Sequence, residues 1–404
     1  MHNYFEAVIF IMKKELTIII IFLFFLFSCS EEDVIKKWEK CFGGSEDDIG
    51  YSLIDTKDNK YVVVGMTESY GAGSSDLFII KTDEDGRMLW KQTFGGTGAD
   101  EGRSICSSND EGYVVAGFTN SSGAGDFDIY IVKIDSYGNE EWSKTFGGAE
   151  EDKAFAISDT SDGGYIITGY THSYGEGNRN MFLLKLNCLG DKEWFKTLGG
   201  NETDGGYAVC ETSDGGYAVS GYIYSDDLPV ATYSDACLVK AGSLGNQEWI
   251  TIFGAYRGDI ARSFCITSDD NFIITGSSGG PWDGSYDLMM AKIDSLGNLI
   301  FRDAIRKGTV DAGSSIKETK NGDFIITGVV SPGAVKSEDL YLILISPERE
   351  ERWYRNFGNS KYDRGYDVIQ TEDGGFLVTG EYTYPETGKT DLYLIKTDSN
   401  GKTK

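Results

Sequence analysis

Along its length the chain repeats one alternation of apolar runs and polar turns. Its clearest copy runs from Trp142 to Asn187: WSKTFGG, an acidic loop ending in Asp152, AFAIS, a TSDGG turn, YIITGYT, a Gly-rich loop and MFLLKLN. The apolar runs are short, rich in β-branched and aromatic residues, and bounded by Gly, Asp and Ser, which is the signature of strands. They predict four strands per copy: A over Phe155–Asp159, B over Tyr165–Thr171, C over Met181–Leu186, and D as in Glu141–Phe146. Several of these strands are apolar on both faces, as expected where sheets pack against sheets. The TSDGG and D-x-x-G segments read as hairpin turns in which Gly supplies positive φ. No stretch within the repeats keeps a long helical period.

The copies hold register. The opening aromatic falls at Trp38, Trp90, Trp142, Trp194, Trp249, Phe301 and Trp353, in steps of 52 residues except one of 55 between Trp194 and Trp249. An Asp precedes strand A in every copy: Asp48, Asp100, Asp152, Asp204, Asp259, Asp311 and Asp363. Strand B opens on Tyr61, Tyr113, Tyr165, Tyr217, Phe272, Phe324 or Phe376 and reaches a Gly four residues later, Gly65 in the first copy and Gly380 in the last. Asp76, Asp128, Asn180, Asp235, Asp287, Asp339 and Asp391 announce strand C. A period of this size signals a propeller or array, because one repeat cannot bury its apolar faces alone.

The fold class expected is therefore all-β: a seven-bladed β-propeller of four-stranded antiparallel blades. The chain stops at Gly401–Lys404, before a seventh D strand, and a D-like strand carrying Trp38 stands unused at the start. The N-terminal strand is expected to complete the last blade and close the ring, which removes exposed sheet edges. The organisation read is residues 1–28 as a signal peptide, 29–37 as a lipidated Cys and short acidic tether, and 38–404 as the propeller.

Composition sharpens the picture. Fifty-two glycines and five prolines suit tight turns between many strands. A formal net charge of −27 excludes nucleic acid as a partner, since phosphate binding needs a basic footprint. The D-to-A loops, with Glu46-Asp47-Asp48 and Glu150-Glu151-Asp152, predict an acidic face on blades one to four. The seven-fold Asp column reads as a repeated turn in which each carboxylate accepts backbone N–H groups, rather than as a cation ring. The seven cysteines show no metal or disulfide-framework spacing, and most read as small buried apolar residues.

Cys29 differs. Met12-Lys13-Lys14, the apolar run Leu16–Phe27 and Ser28 before Cys29 form an export signal, with Met12 the more natural start. The ending resembles a bacterial lipoprotein signal, which implies Cys29 as the lipidated first residue. Ser30-Glu31-Glu32-Asp33 resembles the acidic export tag of surface lipoproteins in Bacteroidota. The localisation implied is an outer-membrane lipoprotein, exposed on the cell surface.

Catalytic signatures are missing. Beyond the signal one histidine remains, His172, placed in a B-to-C loop and expected to face solvent; no Ser stands in a nucleophile elbow. Histidine count excludes a His-rich metal site, and no phosphate-loop or dinucleotide motif opens a helix. No cofactor and no metal are expected. The candidate ligand-binding residues are Trp282, Tyr286, Tyr233 and Tyr224. Trp282 is the one Trp outside the opening column, and blade four alone lengthens its B-to-C loop, over Ser225–Asp235. Exposed aromatics from neighbouring loops can stack on sugar rings or anchor a protein.

With DGGY, D-x-Y-L/I-x-K-x-D, G-N-x-x-W and F-G-G in view, the repeat resembles the SBBP-type seven-bladed propeller repeats of bacterial extracellular proteins over about residues 34–404. The D-x-x-G-x-x-x-W spacing of Asp83, Gly86 and Trp90 is similar to that of quinoprotein-like propellers, which implies that the Trp docks one blade on the next. The function expected is a non-catalytic binding module for a glycan or protein partner. The alternatives are a periplasm-facing outer-membrane assembly scaffold, or a glycan-acting hydrolase or lyase.

Overall fold

The computed structural model describes residues 36–200, 202–224, 234–254, 258–280, 285–331, 337–359 and 361–403. Among them the chain forms 28 β-strands and no helix. The strands group in fours, each set antiparallel and in the order A-B-C-D. In the third set A spans Asp152–Asp159, B Tyr165–Thr171, C Asn180–Leu186 and D Lys192–Leu198. Strand A starts three residues earlier than its apolar run, because Asp152 still pairs with Thr171 across the ladder.

A bulge makes that extension possible. The register slips between Ala154 and Ala156, leaving Phe155 as the extra residue. The same slip recurs in every blade, as at Gly50/Ser52 and Gly365/Asp367. It also explains the strand-B Gly column. A Cβ on Gly169 would fall 1.9 Å from the Lys153 carbonyl oxygen, and one on Gly65 would fall 1.7 Å from that of Ile49. Only a residue without Cβ lets strand A press so close.

Strands B and C are buried on both faces, whereas D strands such as Glu140–Phe146 are exposed or half-buried throughout. The outermost strand is thus a polar sheet edge. The core lies between blades, in seven clusters that each draw on two neighbours. Ile105, Val115 and Val132 of blade two pack on Val62, Val64 and Leu77 of blade one. Leu377, Leu392 and Leu394 near the C-terminus pack on Leu53, Val63 and Phe78 of blade one.

The seventh sheet takes its fourth strand from the other end of the chain. Trp38–Phe42 pairs antiparallel with Thr390–Thr397, setting Trp38 opposite Lys396 and Phe42 opposite Leu392. Neighbouring sheets also touch through isolated parallel bridges. Tyr286↔Val310 joins blades five and six, and Ser75↔Ala99 joins blades one and two. The cysteines divide against expectation. Cys106 and Cys237 are buried and Cys210 and Cys265 half-buried, but Cys41, in an edge D strand, and Cys188, in a turn, are exposed.

Candidate functional site

The acidic D-to-A loops turn their last carboxylate inward. Asp152 is fully buried; its Oδ2 accepts the Gly148 N–H at 2.8 Å and the Ser173 hydroxyl at 2.7 Å, and its Oδ1 accepts the Thr171 hydroxyl. Asp48, Asp100 and Asp204 accept the N–H of Gly44, Gly96 and Gly200 at 2.7–2.8 Å; Asp311 and Asp363 accept those of Lys307 and Asn359 at 2.6–2.7 Å. Asp259 accepts the Gly279 N–H at 3.1 Å, as Asp363 accepts that of Thr383 at 2.9 Å, and faces Arg302 Nη2 at 3.3 Å. The C-strand column behaves alike: Asp128 Oδ2 accepts the Ala124 and Gly125 N–H groups at 2.7 and 3.1 Å.

Three copies carry no Thr or Ser at the position of Thr171, Tyr382 standing opposite Asp363 in the last blade. Ile223 stands where Thr171 reaches Asp152, and Val330 stands there opposite Asp311. The Oδ1 atoms of Asp204 and Asp311 are buried and unpaired, and so is that of Asp100, although Thr119 stands opposite it. Burial pushes the Asp204 carboxyl up to about 6. Among the described residues no group of three or more His, Cys, Asp or Glu is arranged to hold a metal ion.

With those carboxylates turned in, the same face carries aromatic and basic side chains around the axis. Three residues after the column Asp, strand A presents Tyr51, Arg103, Phe155, Tyr207, Arg262, Ser314 and Tyr366. They line one channel of about 640 Å³, to which the A strand of every blade contributes. Tyr51 meets Tyr366 edge-on at 5.1 Å, and the Arg103 guanidinium lies 4.0 Å over the Tyr51 ring. Phe155 stacks on Tyr207 at 5.3 Å with the rings 18° apart, and Arg262 lies 5.7 Å from the Tyr207 centroid.

A second tier surrounds this one, built from the ends of B strands and the starts of C strands. Lys153 Nζ sits 3.9 Å over Phe127 and 4.5 Å over Phe118. Arg179 lies 4.0 Å over Tyr170 and donates to the Tyr222 hydroxyl at 3.1 Å. Arg179 Nε also donates to His172 Nε2 at 3.3 Å, so His172 is half-buried and engaged rather than solvent-facing. Glu151 accepts from the Tyr170 hydroxyl, and Arg103 pairs with Glu101 at 2.8 Å. On the blade-seven side Glu381 is buried beside Arg364 at 3.6 Å; burial outweighs the guanidinium and pushes the carboxyl up to about 7.

The sequence-predicted residues divide. Tyr224, 37% exposed, joins the second tier through an edge contact to Tyr222 at 6.3 Å. Tyr286, 40% exposed, stands on the seam between blades five and six. Trp282, Tyr233 and Cys29 lie outside the described residues. The axial tier itself was not anticipated. Its signal was legible as a column made of aromatics and Arg in six of seven copies, beside the small residues Ser52, Ser104, Ala156 and Ala208. Half-buried rings backed by cations offer flat apolar faces and N–H donors together, suited to stacking on a sugar ring or seating a partner's side chains.

No family model matches the chain. Over 164 residues it is 27% identical to the regulatory protein FlaEY of Caulobacter vibrioides, a match spanning 37% of this chain and 17% of FlaEY. Among solved structures, the Pan2 WD40 domain of Neurospora crassa superposes with a TM-score of 0.52 at 9% identity, covering 88% of this chain and 89% of that one. Sqt1 from Chaetomium thermophilum gives a TM-score of 0.45 at 11% identity, over 90% of this chain and 99% of that one. The Pan2 likeness shows the β-propeller fold.

Proposed function

We propose that the chain is a non-catalytic binding module: a seven-bladed propeller closed by its N-terminal strand, which takes a protein or glycan partner on the face of its D-to-A and B-to-C loops. One observation carries this reading, the continuous tier of rings and cations from Tyr366 through Tyr51, Arg103, Phe155 and Tyr207 to Arg179 and Tyr222. It sets cations and carboxylates together with the rings where every blade converges, Arg103 paired with Glu101 and Lys153 with Glu151. Tyr224 and, further out, Tyr286 extend it; Tyr233 and Trp282 are candidates by sequence.

Closure is supported by the pairing of Trp38–Phe42 with Thr390–Thr397, and by the apolar cluster shared between blade seven and blade one. Surface display through a lipid on Cys29 rests on the signal-like segment before it and the acidic residues after it. Glycan arrays and cross-linking pull-downs with the full chain test the site. The double variant Arg179→Ala, Tyr207→Ala is expected to lose about 2 kcal/mol or more of binding, since aromatic and Arg anchors dominate interfaces. Unchanged capture by that variant removes the axial site. Radiolabelled palmitate incorporation lost in Cys29→Ser tests the anchor.

A further inference from the structure

On the opposite face, where the A-to-B and C-to-D turns lie, one repeat position breaks its own rule. A C-strand lysine recurs at Lys81, Lys133, Lys185, Lys240, Lys292 and Lys396, with Leu344 in blade six. A buried ammonium demands a counter-charge, and five of these lysines have one. Lys133 Nζ lies 3.0 Å from Asp110 and 2.7 Å from Glu141. Lys185 reaches Asp162 at 2.8 Å and Glu193 at 3.3 Å; Lys240 reaches Asp214 at 2.9 Å and Glu248 at 3.2 Å. Lys292 lies 2.8 Å from Asp269, and Lys396 2.8 Å from Asp373.

Lys81 is as buried as these, at 6% exposure, yet its Nζ donates to the Tyr113 hydroxyl of blade two at 3.0 Å, with no carboxylate at ion-pair distance among the described residues. Two substitutions produce this. Leu89 stands where Glu141, Glu193 and Glu248 stand in the next three blades. Asp58, the turn Asp, is held by Lys60 Nζ at 2.5 Å and by the Thr56 hydroxyl at 2.5 Å. The place of Lys60 belongs to Gly112, Gly164 and Gly216 in blades two to four, where an added Cβ would fall 2.3–2.5 Å from the lysine Nζ. The Cβ of Lys60 therefore occupies the site of the missing ammonium. Asn271 crowds blade five in the same way without adding a charge, and Lys292 keeps its Asp.

The displaced ammonium faces a cleft of about 500 Å³ between blades one and two, lined also by Lys57, Lys60, Trp90, Tyr113 and the exposed Tyr137, with two carboxylates, Asp58 (held by Lys60) and Glu111, against its three lysines. That volume falls in the range of small-ligand pockets. We infer that this cleft binds a sugar-sized molecule bearing an oxyanion, whose carboxylate or phosphate takes on Lys81 the place that Glu141, Glu193 and Glu248 take on their lysines, with its ring among Trp90, Tyr113 and Tyr137. The site is independent of the axial face.

The test is calorimetry on the full chain in detergent at low ionic strength, with glucuronate, glucose 6-phosphate and glucose as probes. At least one anion is expected to bind at least about tenfold more tightly than glucose. Glucuronate alone identifies a carboxylate ligand, and glucose 6-phosphate alone a phosphate ligand. Leu89→Glu supplies the missing carboxylate from a half-exposed position, and Lys60→Gly frees Asp58 for Lys81; each should weaken anion binding by about tenfold or more without loss of fold. No binding of either anion, or anion binding undiminished in Leu89→Glu, overturns the inference.

Discussion

Trp38 lies flat against the α-carbon of Gly86: a Cβ there would fall 2.9 Å from the indole, whose Nε1 donates to the Glu84 carbonyl at 3.0 Å. Trp38 belongs to the strand that completes the seventh sheet, and Gly86 to the C-to-D turn of blade one. The relationship recurs as Trp90 on Gly138, Trp142 on Gly190, Trp194 on Gly245, Trp249 on Gly297 and Trp353 on Gly401. In the remaining step Arg349 stands where the Gly would be, at φ 70°, its guanidinium 5.2 Å over Phe301. Each large ring docks on the next blade, and each Gly must adopt a left-handed turn while leaving room for it.

Gly86→Ala should therefore cost more than strain alone. Left-handed backbone costs an L-residue about 1–2 kcal/mol, and the indole must move as well. Gly374→Ala is the control, since Gly374 has φ 80° but nothing within 4 Å of an added Cβ. Denaturation midpoints should place Gly86→Ala below Gly374→Ala. Equal midpoints would mean that the seam between the two ends of the chain carries no docking energy.

Asp152→Ala should destabilise by about 3 kcal/mol, because the Gly148 N–H and two hydroxyls lose their acceptor in a buried site. The same chemistry predicts the reverse for Asp204. Ile223→Thr offers Asp204 Oδ1 the hydroxyl that Thr171 gives Asp152, and should lower its pKa below about 6. Carboxyl-carbon NMR titration reads the shift.

Stability should fall as pH rises across the titration of Glu381. Its carboxyl ionises near 4.5 when unfolded and near 7 in place. Between those values the folded chain holds a proton that the unfolded chain has released. The stabilising contribution is complete below about pH 4.5 and is lost by about pH 7, with a span of about 3 kcal/mol. Glu381→Gln should flatten that part of the profile, measured as unfolding free energy in denaturant at each pH.

Lys81→Met and Lys133→Met should diverge in stability. Removing Lys133 leaves Asp110 and Glu141 without their cation; both are well exposed, so the loss should be about 1 kcal/mol. Removing Lys81 takes away a buried charge that has no counter-charge at ion-pair distance among the described residues, and should be neutral or stabilising. Urea midpoints of the two variants separate the cases.

Much of this was legible from residue order, for local reasons. Strand B of the third copy begins and ends at Tyr165 and Thr171 as its apolar run does, because both faces are buried and every position registers the burial. Strand A was read three residues short, because the bulge at Phe155 breaks the two-residue alternation that marks a strand. His172 was misread because its partner Arg179 and the edge of Tyr170 reach it from flanking elements. The Asp column behaves as its turn chemistry implies: Asp48, Asp100 and Asp152 spend their charge on backbone N–H groups, while Glu46 and Glu150 of the same loops stay exposed.

Order alone determined the unit, its seven copies, the turn residues and the Gly and Trp columns, because each of these is a demand made within about fifty residues of chain. Tertiary structure decided everything that depends on which copy faces which: that Tyr51 meets Tyr366, that Arg103 lies on Tyr51, that Trp38 meets Gly86, and that Lys81 points at Tyr113 instead of an acid. Repeats that look alike in sequence become different once packed, because a side chain's partner across a blade junction is contributed by the neighbouring copy and not by its own.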